Sequence, residues 1–435
     1  MIAIVGGGIT GLALGWALRR MGADFAVLEA EERPGGVIRS REVEGRVLDW
    51  GPQRTRLTRG IASLVRALDL EDEVVTAPEG LELFVFRDGR LRPVPFSAGA
   101  FLRSDIVSAR GKLRMLLEPL TAGADPDERV STYFERKLGR EVYRTIVAPL
   151  YGGLYASDPA DMEVGLSLIH VLREFGIERS LLVPLLRRGG RIATPPACSF
   201  RRGMQTLTDG LAAALGERLH LAARVRGLEA RSGGWRLSVA EQDEVRTLDA
   251  ERVVLTTPAP ITSALLRQVA PDAAATIGGL RYNPLGVVHL HAETDLRGLG
   301  FQMSFTEEHA ALRGVTFNDS LFDRRRLYTA YLGGALRPDI ARMAPDRLAA
   351  LAVGEFRRTT GFDARALSAE HERVPAWDVT WRGLSGVALP NGLEVAGNWW
   401  SRPGIPGRLA EADRLAARLV GPRPRSGSAT PGPSA

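Results

Sequence analysis

The sequence predicts an α/β fold, and three observations carry that expectation. Its first thirty residues read as strand, glycine turn, helix, strand and acid. Short apolar runs that suit strands buried on both faces recur far down the chain, at Arg252–Leu255 and Leu393–Ala396. Helical patterning dominates residues 100–190, where strand alternation is weak.

Ile2–Val5 is the first apolar run, and Gly6-Gly7-Gly8-Ile9-Thr10-Gly11 follows it directly. Leu12–Met21 carries apolar residues at helical spacing and is closed by Gly22. Phe25–Leu28 is the second strand and ends at Glu29, eighteen positions after Gly11. In this setting Gly6 permits the tight turn, Gly8 lets the backbone approach a pyrophosphate, and Gly11 allows close helix–strand packing. The helix start offers free N–H groups and the positive end of its dipole to phosphates. Glu29 stands where an acid accepts hydrogen bonds from ribose hydroxyls. These residues predict a dinucleotide site.

The elements that follow are a turn and helices from about Asp49 to Gly80, then a hairpin of Leu83–Phe86 and Leu91–Val94 around Arg87-Asp88-Gly89-Arg90. Phe200–Val225 reads as helix then strand. Further strands are expected at Trp235–Val239, Arg252–Leu255, Val287–His291, Gly314–Phe317, Leu327–Leu332 and Leu393–Ala396, and helices at Arg347–Arg358 and Ala410–Val420. Gly421–Ala435 is poor in apolar residues and is expected to be a disordered tail.

Composition narrows the class. At 435 residues, 45% hydrophobic and 25% charged, the chain is an ordinary globular one of two or three domains. Cys198 is the only cysteine, so an internal disulfide and a multi-cysteine metal site are excluded, and an inert thiol is expected. His289 and His291 share one strand face without ligand partners at metal spacing, so no metal is expected. No apolar run is long enough to span a membrane, and Met1 leads straight into the first strand; a cytoplasmic protein without a signal peptide is expected. No nucleic-acid partner is expected. The formal net charge is +6, and 55 of the 57 basic residues are arginine, Lys112 and Lys137 being the exceptions. Residues 171–202 hold seven arginines against two glutamates, so most of the surplus is local, where an acidic substrate or anionic lipid would approach.

After Glu29 comes Arg33-Pro34-Gly35-Gly36-Val37-Ile38-Arg39-Ser40, which resembles the extended FAD signature of the amine oxidase superfamily. Five further segments resemble the protoporphyrinogen/coproporphyrinogen oxidases and keep their order. Asp49-Trp50-Gly51-Pro52-Gln53 is similar to the Gly-Pro loop beside the flavin. Leu154–Pro159 is similar to "Gly-x-Tyr-Ala-Gly-Asp-Pro". Phe200–Leu207 is similar to "Phe-x-Gly-Gly-Met-Gln-x-Leu". Arg313–Phe322 with Tyr331–Gly334 is similar to the paired substrate-domain strands, and Leu393–Trp399 matches the "Ala-Gly-Asn-Trp" strand.

The resemblance implies FAD-dependent oxidation of protoporphyrinogen IX or coproporphyrinogen III to the porphyrin in haem biosynthesis. The flavin would accept hydride and molecular oxygen would reoxidise it. Desaturation, amine oxidation and a non-catalytic porphyrin-binding role are the alternative readings on the same scaffold. FAD contacts are implied for Gly6, Gly7, Gly8, Ile9, Thr10, Gly11, Glu29, Arg33, Gly36, Gly51, Pro52, Gln53, Val225, Gly397, Asn398, Gly404 and Ile405. Pocket positions are Leu83, Phe301, Met303 and Phe317, the aromatic and methionine residues suiting a plain core equally well. The flavin is the hydride acceptor, so no catalytic side chain is assigned.

The chain also departs from the family pattern. Leu83 stands where many members carry a propionate-binding arginine, which leaves Arg54, Arg56 or Arg87 as substitutes. Arg402-Pro403-Gly404 and Gly407-Arg408 replace a Gly-x-Gly turn and its following acid, and Arg202-Gly203 replaces a Gly-Gly.

The implied architecture is a discontinuous FAD-binding, Rossmann-like domain from residues 1–75, 200–260 and 385–420. An α+β substrate domain follows from 76–95 and 261–384, with a helical insertion at 96–199. Family members dock on membranes through that insertion. Here Ser180–Arg188 has the composition of an interfacial helix, which would place the protein peripherally on the inner face of a membrane; an ordinary core-covering helix fits the same residues.

Overall fold

A computed structural model describes residues 1–187, 195–241, 244–401 and 404–421. The chain forms two compact units. The first comprises Met1–Thr76, Pro195–Leu280 and the chain from Arg382 onward; the second comprises Ala77–Thr194 and Arg281–Trp381. The expected disordered tail, beyond Gly421, lies outside the described residues.

The first unit is built on a five-stranded sheet in the order Leu219–His220, Phe25–Leu28, Ile2–Val5, Arg252–Leu255, Leu393–Val395. Every neighbouring pair is parallel. Ile2–Val5 and Phe25–Leu28 are buried at every position, which is why they read as continuous apolar runs rather than alternating ones. The helix Ile9–Arg20 covers the sheet with Leu12, Ala13, Leu14, Ala17 and Leu18, all buried. Arg19 and Arg20 in its last turn complement the dipole, and Gly22 at φ +68° takes the chain out of it. The helix Ile405–Val420 packs beside it through Ala412, Leu415 and Ala416. Removing any one of these buried leucines would forfeit about 1.5–3 kcal/mol of burial before any cavity term.

Smaller sheets complete this unit. One is an antiparallel meander of Ala223–Arg231, Gly234–Glu241 and Glu244–Ala250. Another is the hairpin of Arg39–Val43 and Arg46–Trp50, which the sequence reading left unassigned. Its strands are largely charged, and Arg39 and Arg41 stack over the Trp50 ring at 4.6 and 5.6 Å. Residues 261–280, expected in the substrate domain, cluster instead with the first unit. The helix Ala259–Leu266 follows the Arg252–Leu255 strand directly and buries Leu265 and Leu266, and Ser263 Oγ ties it to Ala274 O of the helix Pro271–Gly278 at 2.7 Å.

The second unit is built on a seven-stranded sheet ordered Arg365–Pro375, Tyr282–His291, Leu327–Gly333, Leu312–Phe317, Gly300–Met303, Leu83–Arg87, Arg90–Pro93. All pairs are antiparallel except Gly300–Met303 with Leu83–Arg87. The helix Pro345–Thr360 lies against the sheet through Leu348, Ala352 and Phe356. The expected insertion, 96–199, is mainly helical in its described part and clusters with this sheet rather than standing apart. A buried ion pair, Lys137 Nζ to Glu118 Oε1 at 3.0 Å, pins its helices, with the Glu118 carboxylate also accepting from Ser180 Oγ and Leu181 N.

Candidate functional site

The first unit presents a phosphate-binding turn assembled from the residues the sequence singled out. Gly6 has φ +109°, a conformation that favours glycine. A side chain on Gly11 would lie 1.9 Å from Gly6 O and 2.8 Å from Thr256 Oγ1, so only glycine lets the helix start this close to the first strand. Thr256, which the sequence reading missed, closes the turn from behind by donating to Val5 O or Gly6 O at 3.0 and 2.9 Å. No distinctive motif marks it; its role follows from its place directly after the parallel strand Arg252–Leu255.

Gly8 caps the helix Ile9–Arg20 with no side-chain bond, and nothing lies within 4 Å of where its Cβ would be. The helix start is therefore bare and open, which suits a phosphate. Thr10 is buried in the first turn and Ile9 packs against the core. Glu29 is buried at the end of the second strand. Its Oε2 accepts from Gly7 N at 2.6 Å and its Oε1 from Glu31 N at 2.9 Å, so the carboxylate is anchored at the turn with lone pairs left for hydroxyl donors.

The loop after Glu29 folds back on the turn. Gly35 N donates to Gly7 O at 2.8 Å, and a Cβ on Gly36 would come within 3.3 Å of Gly8 Cα. Arg33 donates to Gly36 O at 2.7 Å and to Pro34 O and Ile38 O at 3.2 and 3.3 Å, so it braces the loop. Burial and the neighbouring Arg39 hold its guanidinium below the ordinary arginine range, with Glu29, Glu31 and Asp209 acting the other way. Gly51, at φ +74°, lies so close to Val37 O that a Cβ would sit 2.4 Å from it. Gln53 donates to Asp49 O at 3.2 Å, and Pro52 joins the two. Asp49 Oδ1 accepts from Ser40 Oγ and Met204 N at 2.5 and 2.8 Å, which ties this loop to the Phe200–Leu207 segment.

Val225 is buried at a bulge in the strand Ala223–Arg231, whose first residue donates to Glu29 O at 2.7 Å. Gly397 and Asn398 follow the last parallel strand, with Asn398 exposed. Arg408 is buried and donates to Gly397 O and, at 2.8 Å, to Ser401 Oγ; burial lowers its guanidinium to about 10. Gly404, at φ +91°, caps the helix that Ile405 opens, again with no side-chain cap. Arg402 and Pro403 lie outside the described residues. Two uncapped helix starts, a buried acid and glycines that no side chain could replace fit a dinucleotide with a pyrophosphate.

The second unit carries a cavity of about 220 Å³. Its lining includes Gly152, Gly153, Ser157, Gln302, Met303 and Arg313. The Leu154–Pro159 segment and the Tyr331–Gly334 strand, separate motifs in the sequence, meet here: Ala335 N donates to Ala156 O at 2.8 Å. Ala156 takes φ +50°, and Ser157 Oγ then donates to Ala376 O at 2.7 Å. Of the expected pocket residues, Met303 lines this cavity. Phe301 and Phe317 do not; they form a buried edge-to-face ladder with Tyr328, at 6.1 and 5.5 Å between centroids, so the core reading is the one the structure gives them. Leu83 is half-buried in the hairpin, paired with Gly300.

Arg87 is committed elsewhere: it donates to Glu141 Oε1, Thr145 Oγ1 and Ile106 O at 2.9–3.2 Å, which corrects its expected availability for a substrate acid. Arg56 donates to Pro195 O, and Arg54 is exposed. Arg313 and Gln302 are additions to the expected site; Arg313 opens the Arg313–Phe322 segment, but its chemistry depends on a strand irregularity that no spacing reveals. Cys198 is buried and its thiol pushed up to about 11 by burial, as an inert thiol should be. His289 Nδ1 bonds Ser368 Oγ at 2.8 Å, and no metal-binding cluster occurs among the described residues.

Comparison with known proteins adds to this geometry. Residues 9–403 match the family model described as flavin containing amine oxidoreductase. The chloroplastic protoporphyrinogen oxidase 1 of Arabidopsis thaliana is 28% identical over 82% of this chain and 73% of its own length. The human protoporphyrinogen oxidase is 26% identical over 74% of this chain and 73% of its own. Among solved structures, a candidate protoporphyrinogen oxidase from Exiguobacterium sp. 255-15 superposes with a TM-score of 0.78 at 20% identity, covering 96% of this chain and 98% of that one.

Proposed function

Because the chain belongs to the flavin-containing amine oxidoreductases, and within them to the protoporphyrinogen oxidase family, we propose that it oxidises a porphyrinogen to the porphyrin with molecular oxygen as acceptor, in haem biosynthesis. The protein is an FAD-dependent oxidoreductase. Bound FAD supplies the hydride acceptor. Three two-electron oxidations would convert the hexahydro macrocycle to the aromatic porphyrin, with three molecules of oxygen reduced to three of peroxide.

One observation carries the choice of substrate over an amine. The cavity of the second unit is lined mainly by apolar groups and glycines, holds one guanidinium, and has no carboxylate in its lining. An amine substrate is a cation, which a carboxylate recognises and a lone guanidinium repels. A porphyrinogen is apolar in its body and acidic at its propionates, so the sign of the cavity suits it. Aromatisation drives the reaction, so the absence of a paired acid and base from this lining does not count against the reading. The FAD residues proposed from the resemblance keep that role: Gly6–Gly11 and Glu29 at the pyrophosphate and ribose, Arg33 and Gly36 bracing the turn, Gly51–Gln53, Val225, Gly397, Asn398, Gly404 and Ile405 around the rest.

The deciding experiment is anaerobic reduction of the flavin by protoporphyrinogen IX and coproporphyrinogen III in parallel, followed by readmission of air. Bleaching of the flavin by at least one, and porphyrin fluorescence on turnover, is the expected result. Reduction by putrescine or cyclohexylamine, and by neither porphyrinogen, overturns the reading.

We also propose peripheral contact with a membrane, through a different segment from the one expected. Among the described residues no helix is long and apolar enough to cross a membrane. Ser180–Pro184 is half-buried, and the side chains of 185–188 lie outside the described residues. Phe96, Leu102, Leu113, Leu116, Leu117 and Leu120 are instead more than half exposed along three short helical segments, with Arg103 and Arg110 exposed among them. That combination supports docking on anionic lipid. Co-sedimentation with phosphatidylglycerol vesicles at low salt should be lost on changing Leu113, Leu116 and Leu120 to serine; equal binding by the variant overturns the assignment.

A further inference from the structure

Arg313 lies at a register shift in the second unit's sheet. Leu312 pairs with Leu332 and Gly314 with Tyr331, so Arg313 is an extra residue with no partner in the opposite strand. Such a bulge re-aims its side chain, and here the guanidinium lines the cavity. Its Nε donates to Leu312 O at 3.0 Å and one terminal nitrogen to Ala310 O at 2.6 Å. No carboxylate among the described residues comes within 4 Å of it. Burial pushes the group down to about 10, with Glu355 acting the other way and Arg337 adding to the fall. Both of those neighbours are already paired, Glu355 with Arg358 and Arg337 with Asp339, each at 2.7 Å. The arginine therefore stays charged at neutral pH, partly desolvated and without a counter-ion, a state that an anion would relieve.

Gln302 lines the same cavity, and its side-chain amide has no hydrogen-bond partner among the described residues. Room for it is made by two glycines. A Cβ would meet Gln302 Oε1 at 3.0 Å on Gly153 and 2.8 Å on Gly314. A cation with donors to spare and an idle amide thus share an otherwise apolar space. At about 220 Å³ the space is below the roughly 300 Å³ at which drug-sized ligand pockets begin, so it takes an arm of a ligand rather than a macrocycle.

Resting on the porphyrinogen reading, we propose that Arg313 and Gln302 form a carboxylate subsite that receives one propionate arm of the substrate and so replaces the anchor missing at Leu83. The test uses the FAD-loaded enzyme and two probes, coproporphyrin III and its tetramethyl ester, with affinity read by fluorescence quenching. The wild type should favour the acid by about 10- to 100-fold, the range of a charge-assisted hydrogen bond. Arg313→Leu should abolish that preference, Arg313→Lys should keep part of it, and Gln302→Leu should reduce it severalfold. An Arg313→Leu variant with wild-type thermal midpoint, flavin spectrum and acid preference overturns the subsite and leaves the porphyrinogen reading standing. Should Arg313→Leu not fold, an unchanged preference in Gln302→Leu and Arg313→Lys together overturns it. If neither porphyrin binds the wild type, the porphyrinogen reading fails, and butyrate then decides the subsite alone. Protection of Arg313 from phenylglyoxal, followed by peptide mass spectrometry, upholds it; equal modification with and without butyrate overturns it.

Discussion

Alanine at Gly11 and at Gly8 should separate helix packing from ligand approach, although the two glycines are three residues apart. At Gly11 the new methyl would sit 1.9 Å from Gly6 O. A carbon and a carbonyl oxygen approach no closer than about 3.3 Å without strain, so the helix must move off the strand by more than about 1 Å. The obstacle is backbone and cannot rotate away. Overpacking of this kind costs about 1–3 kcal/mol, and this case belongs at the upper end. For a unit of roughly 200 residues, about 3 kcal/mol lowers the unfolding midpoint by about 6–12 °C. At Gly8 the methyl would meet nothing within 4 Å, and φ −72°, ψ 175° is open to alanine. The apoprotein should be as stable as wild type, or more so by about 0.4–1 kcal/mol.

The same methyl stands over the bare helix start. Holding a pyrophosphate away from even one N–H forfeits about 1.5–3 kcal/mol, or roughly 10- to 100-fold in FAD affinity. The assay is a thermal scan of the deflavinated proteins, together with flavin fluorescence on titrating FAD back. Gly8→Ala should bind FAD weakly and melt normally; Gly11→Ala should melt early even without FAD. A Gly8→Ala protein that binds FAD like wild type would refute the placement of the phosphates at this turn.

Lys137→Met should destabilise the second unit by about 3–5 kcal/mol in urea unfolding, because it strands a fully buried Glu118. Burial pushes the Glu118 carboxyl up, but Ser180, Leu181 and Lys137 outweigh it and hold it below the usual carboxylate range. Its stabilisation is therefore complete above about pH 4.3 and lost as pH falls through the lower folded value; Glu118→Gln should flatten that acid limb, and an unchanged limb would remove Glu118 from the account. Gly203→Ala, at φ +95° with its Cβ 2.3 Å from Ser40 Oγ and 2.6 Å from Asp49 Oδ1, should cost about 2–3 kcal/mol and weaken FAD retention, read by flavin content after gel filtration. Cys198 should resist a thiol reagent at pH 8 until the protein unfolds; rapid labelling of the native state would contradict its burial.

What the sequence made legible follows from burial. Ile2–Val5, Phe25–Leu28 and Arg252–Leu255 lie in the middle of a parallel sheet, and such strands are apolar on both faces. The glycine turn was readable because each glycine answers a steric demand: Gly6 needs its φ, and Gly11 has no room for a Cβ. Two strands rich in charged residues were not readable. Arg365–Pro375 lies at the sheet's edge with charged residues along it, and Arg39–Val43 gains its place by stacking arginines on Trp50, an interaction that no hydropathy pattern reports. Phe301 and Phe317 were ambiguous for the converse reason: an aromatic side chain looks the same in a core ladder and a ligand wall until its neighbours are known.

The charge pattern shows the same limit and where structure passes it. Fifty-five arginines cannot be ranked from sequence, and the two lysines could each have served as an anchor. The fold sorts them by what neutralises them. Lys137 is spent on Glu118, and Lys112 donates to Leu102 O and Ser104 O. Arg87 is held by Glu141, Arg92 by Asp105, and Arg281 by Asp161 and Asp378. Arg313 faces a cavity with backbone carbonyls as its partners and no acid beside it. A partly desolvated cation in that state costs the fold stability unless a ligand compensates it. The position that matters for recognition is thus marked by a missing interaction, which a sequence, holding only the residues and not their pairings, has no way to display.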